Sequence, residues 1–232
     1  MSGELAHVRT VIFDFDDTLA GTNHARVAAL QRVFDEVGVR EPTAADFWAS
    51  IHGRPYDGPL AELSERLGGG ADLTQRYPRA YWLHEAANLR RYDGIPDVVA
   101  RVAASGRALG VVTTKRRRFL LDGRVCGVDD QLRLLDLERF FDVVVGFEDV
   151  ARTKPDPEGV FLALERLGAA PEHAVMVGDT TADFSAGRGA GVTVCRAAWG
   201  GESTGPAIPG AIPHYTLRRP DELLDLLGLE RG

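Results

Sequence analysis

Cysteine is scarce in this 232-residue chain. Cys126 and Cys195 are the only two, far apart and in no metal-like spacing. That excludes a thiolate metal site and makes two free thiols in a reducing compartment the expectation, ahead of a disulfide. Long apolar runs are missing as well. No stretch is apolar over enough residues to cross a bilayer, and the N-terminal MSGELAHVRT has no apolar signal core. A cytoplasmic protein without a membrane partner is expected. Nor is there an excess of positive charge: 27 Lys and Arg stand against 34 Asp and Glu, a net charge of −7. This keeps the chain soluble and argues against nonspecific nucleic-acid binding. No internal repeat is visible. What remains, at 44% hydrophobic and 26% charged residues, is ordinary for a globular protein, with length for one large domain or a domain carrying a substantial insertion.

The most informative stretch is Val8 to Leu19, VRTVIFDFDDTL. Val8, Val11, Ile12 and Phe13 make a short apolar run that reads as a strand buried on both faces. It ends abruptly in Asp14, Asp16, Asp17 and Thr18. In open α/β sheets the carboxyl end of a strand is where ligands bind. Two carboxylates held so close repel, and a divalent cation with hard oxygen ligands is the simplest compensation. The competing reading is an acidic turn with solvated charges.

Between Ala20 and Arg90 no strand signal appears, and the pattern is helical. One helix is expected over Thr22 to Val37, stopped by Gly38. A second segment opens at Pro42-Thr43, a third carries Leu60, Leu63 and Leu67, and a longer helix is expected from Asp72 to Arg90. Beyond Tyr92 the pattern alternates. Strands are expected at Leu109–Thr113, Val143–Gly146, Ala174–Gly178 and Val192–Cys195, with helices between them. One of these helices has Asp156 as its N-cap and Pro157 at its first position, and the last runs from Asp221 to Leu227. The alternation argues for βα units and an α/β fold with a mostly parallel, Rossmann-like sheet. The all-helical stretch, residues 21–92, is then an insertion into a core of residues 1–20 and 93–232.

The other strand ends raise the first motif above coincidence. The second strand ends in Thr113-Thr114-Lys115, Lys154-Pro155 follows the third, and the fourth ends in Gly178-Asp179-Thr180-Thr181-Ala182-Asp183. In a parallel sheet all these ends share one edge. Acids to hold Mg²⁺, with a hydroxyl and a lysine to hold anionic oxygens, are the parts of a phosphoryl-transfer site.

In DFDDT at 14–18, the hydroxyl at 113, Lys154 before a proline and GDTTAD at 178–183, the chain resembles the haloacid dehalogenase-like superfamily. Within it the likeness is to phosphoglycolate-phosphatase-like hydrolases with a helical cap, and it spans nearly the whole chain. The resemblance implies a hydrolase of phosphoric monoesters. It implies Asp14 as nucleophile, Asp16 as general acid/base, and Thr113 and Lys154 holding the transferring phosphoryl group. Mg²⁺ would be bound by Asp14, the backbone carbonyl of Asp16 and Asp179, with Asp183 in support. A small anionic phosphate is the expected partner, bound by Thr114 and by Arg54 of the cap, in a monomer or homodimer. Asn23, His24, His52 and Tyr56 are further cap candidates.

Three features depart from the family pattern. Asp17 stands where glycine is common, and aspartate tolerates unusual backbone angles better than most residues. The connection from Lys115 to Phe141 is several residues longer than usual. Lys115-Arg116-Arg117-Arg118 falls where a helix is expected to begin, although positive charge there opposes the helix dipole. It reads as a solvated basic turn or as an attractor of anions. A phosphomutase, a phosphonate hydrolase and a phospho-accepting signalling domain are the rival readings. The acid at position 16 fits phosphate-ester chemistry, and the absence of any Lys between Asp14 and Thr113 leaves no Schiff-base lysine in the cap. The large cap argues against a signalling domain; a phosphomutase or other phosphotransferase on the same scaffold is the alternative.

Overall fold

The computed structural model describes residues 3–51, 56–201 and 207–230 of the chain. Its first strand, β1 (Thr10–Phe13), is buried along its whole length. A two-residue strand β2 (Ala20–Gly21) leads into α1 (Asn23–Val37), α2 (Ala44–Ile51), α3 (Asp57–Arg66) and α4 (Leu73–Ala80), the last continued by a π-helical turn at Tyr81–Glu85. β3 (Arg90–Arg91) returns antiparallel to β2, so the way into the helical cap and the way out lie side by side. Then follow α5 (Ile95–Ala104), β4 (Ala108–Val112), β5 (Phe119–Leu121), β6 (Arg124–Cys126), α6 (Val128–Leu134), β7 (Val143–Val145) and α7 (Glu158–Leu167). The chain closes with β8 (Ala174–Gly178), α8 (Thr181–Gly189), β9 (Thr193–Ala197), β10 (Tyr215–Leu217) and α9 (Glu222–Leu227).

Six strands form one sheet in the order β10-β9-β8-β1-β4-β7, and every pairing in it is parallel. Side-chain alternation along a strand divides the core in two. Val11, Phe13, Leu109, Val111, Val175 and Val177 join α5, α6 and α9 on one face. Ile12, Val112, Val145 and Met176 meet α7 and α8 on the other. The cap has a core of its own, in which Leu30, Phe34, Phe47, Trp48, Leu60, Leu73 and Tyr77 pack together. The fold is thus α/β, a Rossmann-like core with a helical cap. Among the described residues no helix is long and apolar enough to cross a membrane.

The structure departs from the sequence reading at several elements. The expected helix over Asp72 to Arg90 is α4 plus the π turn. Asp72 does cap it, accepting from Gln75 N at 3.2 Å. Pro78 inside it has no N–H to give to the ladder. The last residues are needed to pair β3 with β2. No helix begins in the basic run. A β-hairpin, β5–β6, comes first, turning at Asp122-Gly123, where both residues take left-handed angles (φ 50° and 77°), the two-residue hairpin geometry. Its stem closes at Gly127 (φ 143°), where an added Cβ would stand 2.0 Å from the Arg117 carbonyl oxygen. The long connection is therefore this hairpin and α6. α7 begins at Glu158, with Asp156 Oδ1 accepting from Glu158 N at 3.0 Å. Leu67 is exposed, and the edge strand β10 was not expected.

Candidate active site

Asp14 follows β1 directly, fixed by its N–H to the Val177 carbonyl at 2.9 Å. Asp179 follows β8, and Asp183 lies in the first turn of α8. Thr180 and Asp183 cap that helix reciprocally: Thr180 N donates to Asp183 Oδ2 at 3.0 Å, and Asp183 N donates to Thr180 Oγ1 at 3.4 Å, whose hydroxyl donates to Asp183 Oδ2 at 2.6 Å. The other carboxylate oxygen, Oδ1, accepts from Lys154 Nζ at 2.6 Å. Lys154 also donates to Asp14 Oδ1 and to the Val112 carbonyl, the latter at 2.8 Å. Asp183 thus both caps its helix and faces the site.

Asp14, Asp179 and Asp183 are all buried, and each offers an oxygen within 4.8 Å of those of the others. Burial pushes the Asp14 carboxyl up to about 7, with Asp183 and Asp16 adding to it against the pull of Lys154. Burial, followed by Asp183, Asp14 and Asp17, raises Asp179 too. Burial would lower Lys154, yet Asp14 and Asp183 hold its ammonium well above the usual lysine value. A converging set of hard oxygens with more negative charge than one lysine balances fits a small divalent cation such as Mg²⁺.

Asp16 lies apart from this cluster. Its Oδ1 accepts from Thr22 Oγ1 at 2.7 Å, from Arg26 at 2.9 Å and from Lys115 Nζ at 2.7 Å. Burial would raise this carboxyl, but Arg26 and Lys115, with hydrogen bonds from Lys115 and Thr22, hold it well below the carboxylate range. Lys115 is itself buried. It donates to Tyr81 Oη and Gln131 Oε1, both at 3.0 Å, so a cap tyrosine and two core residues converge behind Asp16. The chain has only two lysines, 115 and 154, and each sits on an aspartate of the first motif, Lys154 on Asp14 and Lys115 on Asp16.

Asp17 does take a left-handed angle, φ 56°. Its Oδ1 accepts from Thr22 N at 3.0 Å and Tyr92 Oη at 3.4 Å, tying the first motif to both crossings into the cap.

The remaining site candidates divide. Thr113 is buried at the end of β4, its Oγ1 accepting from Lys115 N at 3.2 Å, whereas Thr114 lines the cavity in front of Asp14. Asn23 and Tyr56 also line that cavity, and His24 is exposed. Arg54 and His52 lie outside the described residues. The solvated-turn reading holds for Arg116 and Arg118, which are exposed, but not for Lys115. Sequence reasoning missed Lys115, Arg26, Thr22 and Tyr81 as site residues. The rarity of lysine was the signal available for the first of them.

Gly178 sits where the backbone of β8 meets α8. A Cβ there would stand 2.5 Å from Cβ and Cγ of Asp183. Gly178→Ala is expected to push Asp183 off Lys154, lowering stability by about 1–3 kcal/mol, the usual range for overpacking, and reducing turnover. Urea denaturation and initial rates check it; unchanged values of both would mean that the Asp183 contacts do not matter.

A protein-family model described as haloacid dehalogenase-like hydrolase matches residues 11–197, which takes in all four strand-end motifs. The chain belongs to this family of hydrolases. Among its relatives is the pyrophosphatase PpaX of Bacillus pumilus, 33% identical over 96% of this chain and 98% of that protein. The PpaX of Listeria monocytogenes is 32% identical over 97% of each. Among solved structures, a haloacid dehalogenase-like hydrolase from Streptococcus pneumoniae superposes with a TM-score of 0.75, at 23% identity over 94% of this chain and 97% of that one, a likeness of fold.

Proposed function

We propose that this protein is a Mg²⁺-dependent phosphatase that hydrolyses a small phosphate ester through an aspartyl-phosphate on Asp14. One observation carries the reading: Asp14 is bonded to Lys154 inside a buried group of three aspartates, at the carboxyl edge of a parallel sheet and facing the cavity. Asp14, Asp179 and Asp183 would hold the ion, with the Asp16 carbonyl implied by the family resemblance. The ion would supply neutralisation of the phosphate charge, which allows an anionic nucleophile to approach.

Lys154 orients Asp14 and gives its ammonium to the phosphoryl oxygens, assisted by the hydroxyls at 113 and 114. The Asp14 carboxylate attacks phosphorus, and the bond to the leaving oxygen breaks. Asp16, ionised while Arg26 and Lys115 hold it, takes up a proton as Arg26 withdraws with the cap, gives it to that oxygen, then takes one from the water that cleaves the aspartyl-phosphate. Its contacts with Thr22, Arg26 and Lys115 all fall on Oδ1, so Oδ2 is the atom assigned to the transfer. In this reading residues 21–92 are a lid hinged at β2 and β3, where the chain enters and leaves the cap side by side, and its movement would change the contacts of Thr22 and Arg26 with Asp16.

The test is release of phosphate from a panel of esters and pyrophosphate, with Mg²⁺ and with excess chelator. Many turnovers that stop in chelator are expected. Stable phosphorylation without turnover would instead mark a phosphate-operated switch. Pyrophosphate is the second substrate reading, favoured by the name of the PpaX relatives. Asp16→Asn is expected to slow turnover by ~10²–10⁴-fold, the usual worth of general acid–base catalysis, with half-saturating Mg²⁺ little changed. A loss residing wholly in Mg²⁺ affinity would make Asp16 a side-chain ligand instead.

A further inference from the structure

The cavity in front of Asp14 has a volume of about 600 Å³. That lies within the roughly 300–1,000 Å³ of pockets that enclose drug-sized ligands. A phosphoryl group on a small leaving group fills only a part of it. Much of its lining is aromatic: Trp48, Tyr56, Tyr77, Tyr81 and Trp82 come from the cap and Phe119 from the hairpin. The rings run on without a break. Centroids are 6.2 Å apart for Trp48–Tyr77, 5.0 Å for Tyr56–Tyr77, 6.5 Å for Tyr77–Tyr81, 5.0 Å for Tyr81–Trp82 and 5.2 Å for Trp82–Phe119. The hairpin takes no part in the six-stranded sheet. It reaches the cap instead, through Phe119 on Trp82, Arg124 on the Leu83 carbonyl at 2.9 Å, and an ion pair from Arg79 to Asp122. The insert thus brings apolar surface, Phe119 and Leu121, to the same cavity.

Charge narrows the occupant. Arg26 lies 5.3 Å from the Trp48 ring and 5.6 Å from that of Tyr81, and Lys115 lies 5.3 Å from Tyr81 and 5.7 Å from Trp82. Both cations are paired with Asp16. Both disfavour a cationic group among these rings. Arg116 is stacked on Phe147 at 4.9 Å and forms no ion pair among the described residues, but it lies in the exposed loop after β4.

We infer that the substrate is a phosphate ester whose leaving group carries a flat, uncharged aromatic ring, held between the aromatic wall of the cap and Phe119 of the hairpin. The inference rests on the phosphatase reading above and names its substrate class. Aryl-bearing alcohols and nucleosides share this chemistry, and two matched pairs of substrates separate them. Benzyl phosphate against isobutyl phosphate compares a ring with a branched chain on primary alcohols of similar acidity. A nucleoside 5′-monophosphate against ribose 5-phosphate compares the same hydroxyl with and without a base.

The ring-bearing member of at least one pair is expected to have a kcat/KM roughly tenfold higher or more, as stacking of one ring supplies. The pair that shows it identifies the source. Benzylphosphonate is expected to compete at lower concentration than isobutylphosphonate and to perturb the fluorescence of Trp48 and Trp82. Phe119→Ala, on the hairpin surface, is expected to pull the ratio within the favoured pair toward one. Equal kcat/KM within both pairs, or a preference for pyrophosphate over all four, overturns the inference and leaves the phosphatase standing. No turnover of any member with Mg²⁺ overturns the phosphatase reading and this one with it.

Discussion

Asp14→Asn is expected to fold normally and to lose turnover by on the order of 10³-fold or more, because the amide offers no nucleophile and the covalent route disappears. The position explains both halves of the result. Asp14 is anchored through its backbone to Val177, and that bond does not depend on the side chain. The side chain meets Lys154 and faces Asp179 and Asp183. Burial and neighbouring acids push its carboxyl up, so replacing the acid by a neutral amide removes repulsion from the cluster. Stability equal to or above the parent's is therefore expected in chelator. Circular dichroism and thermal unfolding check the fold, and initial rates check the loss. Near-parental rates in a preparation free of other phosphatases would remove Asp14 as nucleophile.

Lys154→Met is the second large effect, and it strikes stability as well as rate. The Lys154 side chain is 4% exposed and bonds Asp14, Asp183 and the Val112 carbonyl together. Its removal leaves buried carboxylates with no cation among them. Breaking a buried pair from one side costs about 3–5 kcal/mol, and that loss is expected in denaturant titrations run with chelator. Added Mg²⁺ should recover part of it, because a bound cation replaces the missing charge. Turnover is expected to fall at least as far as an electrostatic stabiliser's removal implies, ~10²–10³-fold. A variant as stable as the parent in chelator would show that the aspartates are not held as a charged cluster.

Much of this was legible in the sequence because a parallel sheet writes its strands as short unbroken apolar runs and gathers their ends on one edge. Val11-Ile12-Phe13 before Asp14, and Ala174 to Gly178 before Asp179, have no polar position to blur them. Asp17 was legible as a strained turn from its residue type. The hairpin was not foreseen, although Asp122-Gly123 between Phe119-Leu120-Leu121 and Arg124-Val125-Cys126 carries its turn signal. Leu120 is 73% exposed, and with apolar residues on both faces neither short strand shows a two-residue alternation. Lys115 was hidden by the three arginines after it. Nothing local distinguishes a buried ammonium from solvated neighbours; its partners Asp16, Tyr81 and Gln131 come from three separate segments. β10 was missed for a related reason: three residues at a sheet edge carry too short a pattern.

The central claim is that phosphate passes through the Asp14 carboxylate. It is tested most directly by mixing enzyme, Mg²⁺ and a slowly hydrolysed ester for less than one turnover, quenching in acid, and mapping the phosphorylated peptide by mass spectrometry. The account predicts one phosphoryl group on the peptide spanning Val8 to Leu19, localised to Asp14, formed and lost at rates that match steady-state turnover. Phosphate on any other side chain, or hydrolysis at full rate with no phosphorylated peptide under conditions that preserve acyl phosphates, would contradict it.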